Sequence, residues 1–522
     1  MRSNRADGRT GGRAVVWVAA LLLTAGPPVR LSAQTIDTII IVTHNVFAGD
    51  SDGPAFVARL ANALHVTTRA GVIRRSLLAD AGQPYDSARA VESERALRAL
   101  SVFRDVRVDT LRVNGRLALR VETADGWSTK PQVGFSTAGG DATWNVGIVE
   151  QNLLGTATEL DAQYRKTPDR RSVEFLYRSP HFLWRRTTFF ANYRHLSDGD
   201  GGSWGLGLPF YQTSARWSLT TDGEAARARV LRFRDGALAD STQQRVLRVG
   251  AMGGAALRAT TRDYVRVWLG AQWRREDFAP ETISVFPRSV SVAAGTGIEV
   301  GHTRLQVLHH FDTYGRREDI DLSQQLRVGV WGQEGGGIGP EVKGQVSAVW
   351  RGGFVLLRGE AHGLYRAAGL DSGLVKAGLT VGSQNLPRQT TILHVEVGAS
   401  RRAKPGGEFD LWRDQNGPRV FGAHAFTGTR MVWVAVENRA LVADDLWGLL
   451  GVGVAPFFDY GGAWYADERA RLGGDVGLAL RLGPTRAVHG SVTEFAVGYR
   501  FGEGVVPGHR WALTIREGIG FR

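Results

Sequence analysis

The sequence predicts a mainly β protein: a transmembrane antiparallel β-barrel in the C-terminal part, preceded by one small α+β domain. Three observations predict it. From about Trp127 onward the chain is almost continuously strand-like, with apolar and polar residues alternating as in a strand that has lipid on one side and a lumen on the other. Its 67 glycines, 15 tryptophans and 22 phenylalanines suit packed strands and interfacial aromatics. After the N-terminus there is no apolar run of the roughly 20 residues that a spanning helix needs.

Residues 1–33 read as a secretory signal peptide. Arg2, Arg5, Arg9 and Arg13 precede the apolar run from Ala14 to Leu23, and cleavage is expected after Ala33. Five arginines and one aspartate of this segment carry +4 of the net charge of +13, leaving +9 on the rest. The remaining arginines are spread singly along strands, which fits a charged lumen or a lipid-headgroup rim and not a nucleic-acid stripe. No cysteine is present, which removes disulfides, thiolate catalysis and lipoprotein anchoring.

Residues 34–126 have a different rhythm. Ile36 to Val42 reads as a strand, and Val57–Leu64 and Ala70–Leu78 as helical stretches, with Val72, Ile73, Leu77 and Leu78 spaced for one buried face. Gly82 and Pro84 stop that run. A second helix from Ser87 to Leu100 is apolar through Val91, Leu97 and Leu100. Two strands, Phe103–Val108 and Leu117–Glu122, then flank the turn Asn114-Gly115. The expected order is β-α-α-β-β.

Residues 127–522 carry about twenty runs of strand length, among them Ser172–Arg178, Thr188–Arg194, Tyr264–Gly270 and Met431–Glu437. Within them lies a glycine-bounded loop, Gly417-Pro418-Arg419-Val420-Phe421-Gly422-Ala423-His424-Ala425-Phe426-Thr427-Gly428, followed by Phe457-Phe458-Asp459-Tyr460-Gly461. An arginine on a loop and an aspartate at a strand end can form a two-pronged ion pair, stiff and orienting in a partly dehydrated lumen. Five runs follow Gly428: Arg430–Glu437, Leu450–Asp459, Asp475–Leu482, Glu494–Phe501 and Trp511–Phe521. In the last, Trp511, Leu513, Ile515 and Phe521 alternate with polar positions, while Gly518 and Gly520 remove packing and favour a kink. A strand weakened in this way marks a barrel seam able to open and template an incoming strand.

Enzyme signatures are missing. Gly134-Phe135-Ser136-Thr137-Ala138-Gly139 lacks the spacing of a nucleophile elbow, and the runs Gly199–Gly202 and Gly335–Gly337 lack the lysine of a phosphate cradle. Adjacent His309 and His310 point to opposite faces of a strand and do not share a metal. No catalytic residue, metal or cofactor is assigned.

Two resemblances sharpen this reading. Gly82, Pro84, Tyr85, Leu100, Phe103 and Val106, with Val121-Glu122 closing the module, resemble the pattern of the polypeptide-transport-associated (POTRA) domain, here in one copy. The resemblance implies a periplasmic domain that binds unfolded chains by strand augmentation. The barrel resembles the outer-membrane assembly and secretion superfamily, through Arg419, Phe421, Phe426 and Gly428 at its sixth-loop signature and Asp459 and Gly461 in its phenylalanine-x-aspartate-x-glycine strand. Val420 stands where that signature has glycine, which tolerates dihedrals valine does not. The resemblance implies a plug loop around 416–428 locked by Arg419 on Asp459, and five strands after it. It also implies sixteen strands in all, with surplus runs in long extracellular hairpins.

By the same resemblance the implied location is the bacterial outer membrane. Implied partners are unfolded outer-membrane or secreted polypeptides, outer-membrane lipids and accessory lipoproteins, with no nucleic acid. Three functions stand open: an insertase using strand exchange at the seam and a thinned membrane, a secretion transporter for one polypeptide, and a passive pore or surface antigen.

Overall fold

A computed structural model describes residues 34–517 apart from 48–53, 139–141, 185, 281–289, 316, 413–416, 488–491 and 506–507. The expected signal peptide and the terminal Gly518, Gly520 and Phe521 lie outside the described residues.

The small domain folds as β1 (Thr38–His44), α1 (Ala55–Leu64), α2 (Ala70–Ser76), α3 (Ser87–Ala99), β2 (Phe103–Val113) and β3 (Arg116–Asp125). Its sheet has the order β1-β3-β2, β1 parallel and β2 antiparallel to β3. Asn114 and Gly115 take positive φ at the β2–β3 turn, as their sequence requires. Val72, Ile73 and Leu77 from the α2 region, Leu97 from α3, and Phe103 and Val106 from β2 are buried together over the sheet, with Leu100 and Tyr85 packed at the margin. Gly82 adopts a φ of +84° and its N–H donates to the Ile36 carbonyl, while the Tyr85 N–H donates to Gln34. The glycine-proline-tyrosine segment thus anchors the first residues of the domain. Asp86 caps α3 through the Ala88 N–H at 2.9 Å.

Two expectations are corrected here. The two helical stretches before Gly82 form two helices, so with α3 the order is β-α-α-α-β-β and not β-α-α-β-β; Ala58 and Ala61 of α1 pack with Val46 and Phe47 beside Trp127 and Leu449. Val91 is exposed, because α3 turns Ala90, Ser93 and Leu97 inward and leaves Val91 off that stripe.

The barrel begins with β4 (Thr129–Ser136), β5 (Thr143–Glu150), β6 (Glu159–Lys166), β7 (Arg171–Ser179), β8 (Thr188–Leu196) and β9 (Gly199–Leu208). Long strands follow: β10 (Trp217–Arg234), β11 (Ala237–Ala259), β12 (Asp263–Pro280) and β13 (Val290–His302). A short hairpin of β14 (Leu305–His309) and β15 (Arg317–Asp321) stands apart from the wall. The wall resumes with β16 (Gln324–Gln333), β17 (Gly337–Trp350), β18 (Gly353–Arg366), β19 (Gly369–Ser383) and β20 (Gln389–Arg401). The loop after β20 carries the two-stranded pair β21 (Phe409–Leu411) and β22 (Phe426–Gly428). β23 (Arg430–Leu446), β24 (Leu450–Trp464), β25 (Gly473–Pro484), β26 (Thr493–Gly502) and β27 (Trp511–Glu517) complete the circuit.

Twenty described strands close into one barrel, β27 meeting β4. The expectation of sixteen is corrected to twenty: the surplus runs form wall strands. The five strands after Gly428 stand as the sequence placed them. All neighbouring wall strands are antiparallel, so the wall turns occur at two ends, and the small domain sits at the end where β4 begins.

Burial alternates in reverse of a soluble protein. On β25 and β26, Asp475, Arg481, Glu494 and Arg500 are buried toward the lumen while Val476, Leu478, Leu480, Phe495 and Val497 are exposed outward. Apolar side chains exposed on an outer wall and charges sealed within are stable only with hydrocarbon outside, so the chain spans a membrane by its strands.

Candidate functional site: a buried charge network at the plug loop

The loop after β20 folds into the lumen. Phe421 and Phe426 are wholly buried, with ring centroids 5.1 Å apart, and they share one apolar cluster with Trp433 of β23 and Phe354 of β18. Gly428 lies against the Trp464 backbone and Gly461 against the Val432 carbonyl, so closely that neither position has room for a Cβ. The first approach draws the loop's β22 against wall strand β24, and the second packs wall strands β23 and β24 together.

Arg419 is 0% exposed. Its Nε donates to Asp459 Oδ2 at 2.7 Å and Nη2 to Oδ1 at 3.1 Å, the two-pronged geometry that a planar guanidinium offers a carboxylate. The Arg419 backbone N–H adds a third bond to Asp459, and the guanidinium lies over the Phe457 ring at 4.1 Å. Nη1 turns the other way, to Glu437 Oε2 at 2.6 Å.

Val420, at the position expected to need glycine, stays out of the left-handed region. Its N–H donates to Asp475 at 3.1 Å, and its side chain sits among Ala455, Phe457, Ala479, Ala496 and Ala512. A Cβ at Gly498 would approach the valine methyls to 2.9 and 3.0 Å. The wall is built of small residues where the valine enters, so β-branching at the tip is matched by missing volume opposite.

The charges continue beyond the expected pair. Glu437 Oε1 accepts from Arg439 Nε at 2.6 Å and lies 3.7 Å from Arg481. Arg481 of β25, Glu494 of β26 and Arg516 of β27 are successive cross-strand partners, with ion-pair distances of 3.3 Å on both sides of Glu494. A string of alternating charge therefore runs from the plug loop to the last strand. Glu437, Arg439, Asp475, Arg481, Glu494 and Arg516 escaped the sequence reading. Their signal is charge at every second position of strands whose other face is apolar, as in Glu437-Asn438-Arg439.

At the far end of the barrel the loop is tied a second time. His424 Nδ1 and Nε2 each lie 2.6 Å from a carboxylate, Asp410 and Asp169, and its ring stacks on Phe233 at 3.4 Å between centroids. Burial alone would push this imidazole down; the bonds to Asp169 and Asp410 prevail and hold its pKa up at about 9. Phe233 belongs to the β10–β11 hairpin, whose tip reaches across the mouth. Arg232 pairs with Glu408 at 2.9 Å, Arg234 with Glu468 at 3.2 Å, and Asp235 with Arg471.

Among the described residues the β27–β4 joint has the fewest paired positions in the wall. Among the described residues β27 and β4 share two paired positions, Thr514 with Ser136 and Ile515 with Phe135, and the Thr137 N–H donates to the Leu513 carbonyl at 3.2 Å, whereas β26 and β27 share seven positions. Trp511 and Leu513 are exposed on the outer face. On the other side of the joint β4 has eight residues, against 23 in β11.

No protein-family model matches the chain and no curated protein matches it. Among solved structures the chain is similar to BamA from Haemophilus ducreyi lacking POTRA domains 1–3, at 11% identity over 91% of this chain and 84% of that one, with a TM-score of 0.38. It is also similar to CdiB from Escherichia coli, at 11% identity over 92% and 76% of the two chains with a TM-score of 0.49. CdiB from Acinetobacter baumannii gives 11%, 92%, 73% and 0.45 for the same quantities.

Proposed function

We propose that this chain is an outer-membrane assembly factor that receives unfolded polypeptide at its small domain, in the periplasm, and folds it into the membrane through the β27–β4 seam. The observation that carries this reading is the seam itself, with two paired positions among the described residues where every other wall joint has seven or more. Edge groups released when this joint opens can template an incoming strand, and strand exchange needs no ATP or metal. The glycine-proline-tyrosine anchor and the buried Phe103 and Val106 support a POTRA-type module, and the Arg419–Asp459 pair supports a plug loop of the assembly and secretion type.

The test is reconstitution in liposomes with an unfolded outer-membrane barrel as substrate. Acceleration of its folding supports the assembly reading. No acceleration, with this barrel itself intact, moves the reading to dedicated secretion of one polypeptide, for which a single periplasmic module is sufficient. A passive pore fits the lumen less well, since the plug loop and the β10–β11 tip both fill or cross it.

A further inference from the structure

The hairpin β14–β15 sits in the turn between β13 and β16, at the small-domain end, yet Phe311 and Tyr314 near its tip are buried. Phe311, Ile320 and Leu322 are buried in the same apolar cluster as Leu411, Phe421 and Phe426 of the plug loop. Tyr314 lies against Gly451 and Gly453 of β24 and Gly483 of β25 on the lumen face, where a Cβ at Gly483 would come within 2.6 Å of the ring. Glu318, itself buried, accepts from the backbone N–H groups of Asp312 at 2.9 Å and Thr313 at 2.6 Å, which stiffens the tip. The tip is a second insert in the barrel, entering opposite the plug loop.

Each end of this hairpin holds a different partner. At the tip, Asp312 accepts from Arg439 at 2.7 Å, the Phe311 carbonyl accepts from the same guanidinium, and the Asp312 carbonyl accepts from Arg481 at 3.5 Å. Arg439 is one bond from Glu437, which is one bond from Arg419. At the base, Asp319 accepts a two-pronged bond from Arg98 of α3, at 2.7 and 3.1 Å. Arg317 donates to Asp105 at 2.6 Å and to the Val106 carbonyl at 2.9 Å, both on β2. Val106 is a core residue of the small domain, so β2 cannot shift without disturbing this contact.

We propose that the β14–β15 hairpin is an autoinhibitory stopper that couples the small domain to the loop lock. A chain bound along β2 competes for the Val106 carbonyl and frees Arg317; the hairpin then backs out of the lumen, and Asp312 leaves Arg439. Arg439, losing that carboxylate, shifts its pairing toward Glu437 and draws it from Arg419. A cavity of about 270 Å³ beside the tip, lined by His310, Gln389, Arg439 and Arg481, gives the tip room to move. The proposal deepens the function proposed above and rests on it for its biological sense. Its test, however, needs no substrate polypeptide.

The sequence has no cysteine, so a Val420→Cys reporter is the only thiol in the chain. Buried in the seated loop, it reacts with a maleimide when the loop unseats. In folded, liposome-reconstituted protein, Asp312→Asn with Tyr314→Ala, and separately Arg98→Ala with Arg317→Ala, should each speed labelling about tenfold, the factor set by about 1.4 kcal/mol of lost closure. Combining the four substitutions should add nothing further. The charge swap Arg98→Asp with Asp319→Arg should label slowly where Arg98→Asp alone labels fast, which keeps the test decisive if an alanine pair folds poorly. Labelling at the parental rate in the Arg98 and Arg317 variants overturns the proposal, because the small domain then has no hold on the loop. If labelling behaves as expected while no barrel folding is accelerated, the coupling stands and the assembly reading falls.

Discussion

The Arg419 guanidinium meets the Asp459 carboxylate through two hydrogen bonds, of 2.7 and 3.1 Å, with both side chains wholly buried. Removing one partner strands the other charge, at a cost of about 3–5 kcal/mol for a buried pair. Arg419 has a second carboxylate in Glu437, so Asp459→Ala should be the milder change and Arg419→Ala the more severe. The two together should cost less than their sum. Urea unfolding of the four members of this double-mutant cycle, paired with the liposome assay, reads the coupling; strictly additive losses would argue against a shared contact.

Val420 and Gly498 form a size-matched pair. Gly498→Ala places a Cβ within 2.9 Å of the valine and should weaken loop seating by about 1–3 kcal/mol. Val420→Ala in the same chain should restore most of it. Protease resistance of the loop is the readout, and failure of the second change to rescue the first would refute the steric account.

The His424 anchor is pH-dependent. A histidine near 6.5 when unfolded and about 9 in place binds its proton more tightly in the folded loop. Its stabilisation is therefore full below about pH 6.5 and is lost as pH rises through 9. A spin label on the loop should gain mobility across that window, and His424→Ala should flatten the change. A label whose mobility is constant from pH 6 to about 10 would contradict the anchor.

Thr514 and Ser136 face each other across the seam, at a spacing of about 4.5–5.5 Å between Cα atoms in an antiparallel pair. Cysteines at both positions should form a disulfide on oxidation. The proposed assembly activity should stop when they are oxidised and return with a reductant. Unchanged turnover in the oxidised protein would show that the seam does not open.

Much of this architecture was legible in the sequence. Period-two alternation located the wall strands, and the five runs after Gly428 kept their order, because each needed only one apolar face. Strand number was better read from the runs than from the resemblance, since a wall grows by whole hairpins without altering the pattern of any one strand. The Arg419–Asp459 pair was legible because both residues sit in short, glycine-marked contexts. The string through Glu437, Arg439, Arg481, Glu494 and Arg516 was not, since its members lie on four strands and only register brings them together. Val91 misled the helix reading because apolar spacing does not say which stripe another element covers.

The 23 residues of β11 extend roughly 78 Å along the strand at about 3.4 Å per residue, well beyond a hydrocarbon layer of about 30 Å even when tilted. On the proposed orientation, the surplus stands outside the cell, and at the tip of this hairpin Phe233 and Arg232 of the paired strand β10 grip His424 and Glu408. That overhang is a handle. An antibody fragment that clamps the Asp235 tip to the Arg471 segment would hold the loop seated without crossing the membrane, so the machine's resting state can be enforced from the medium.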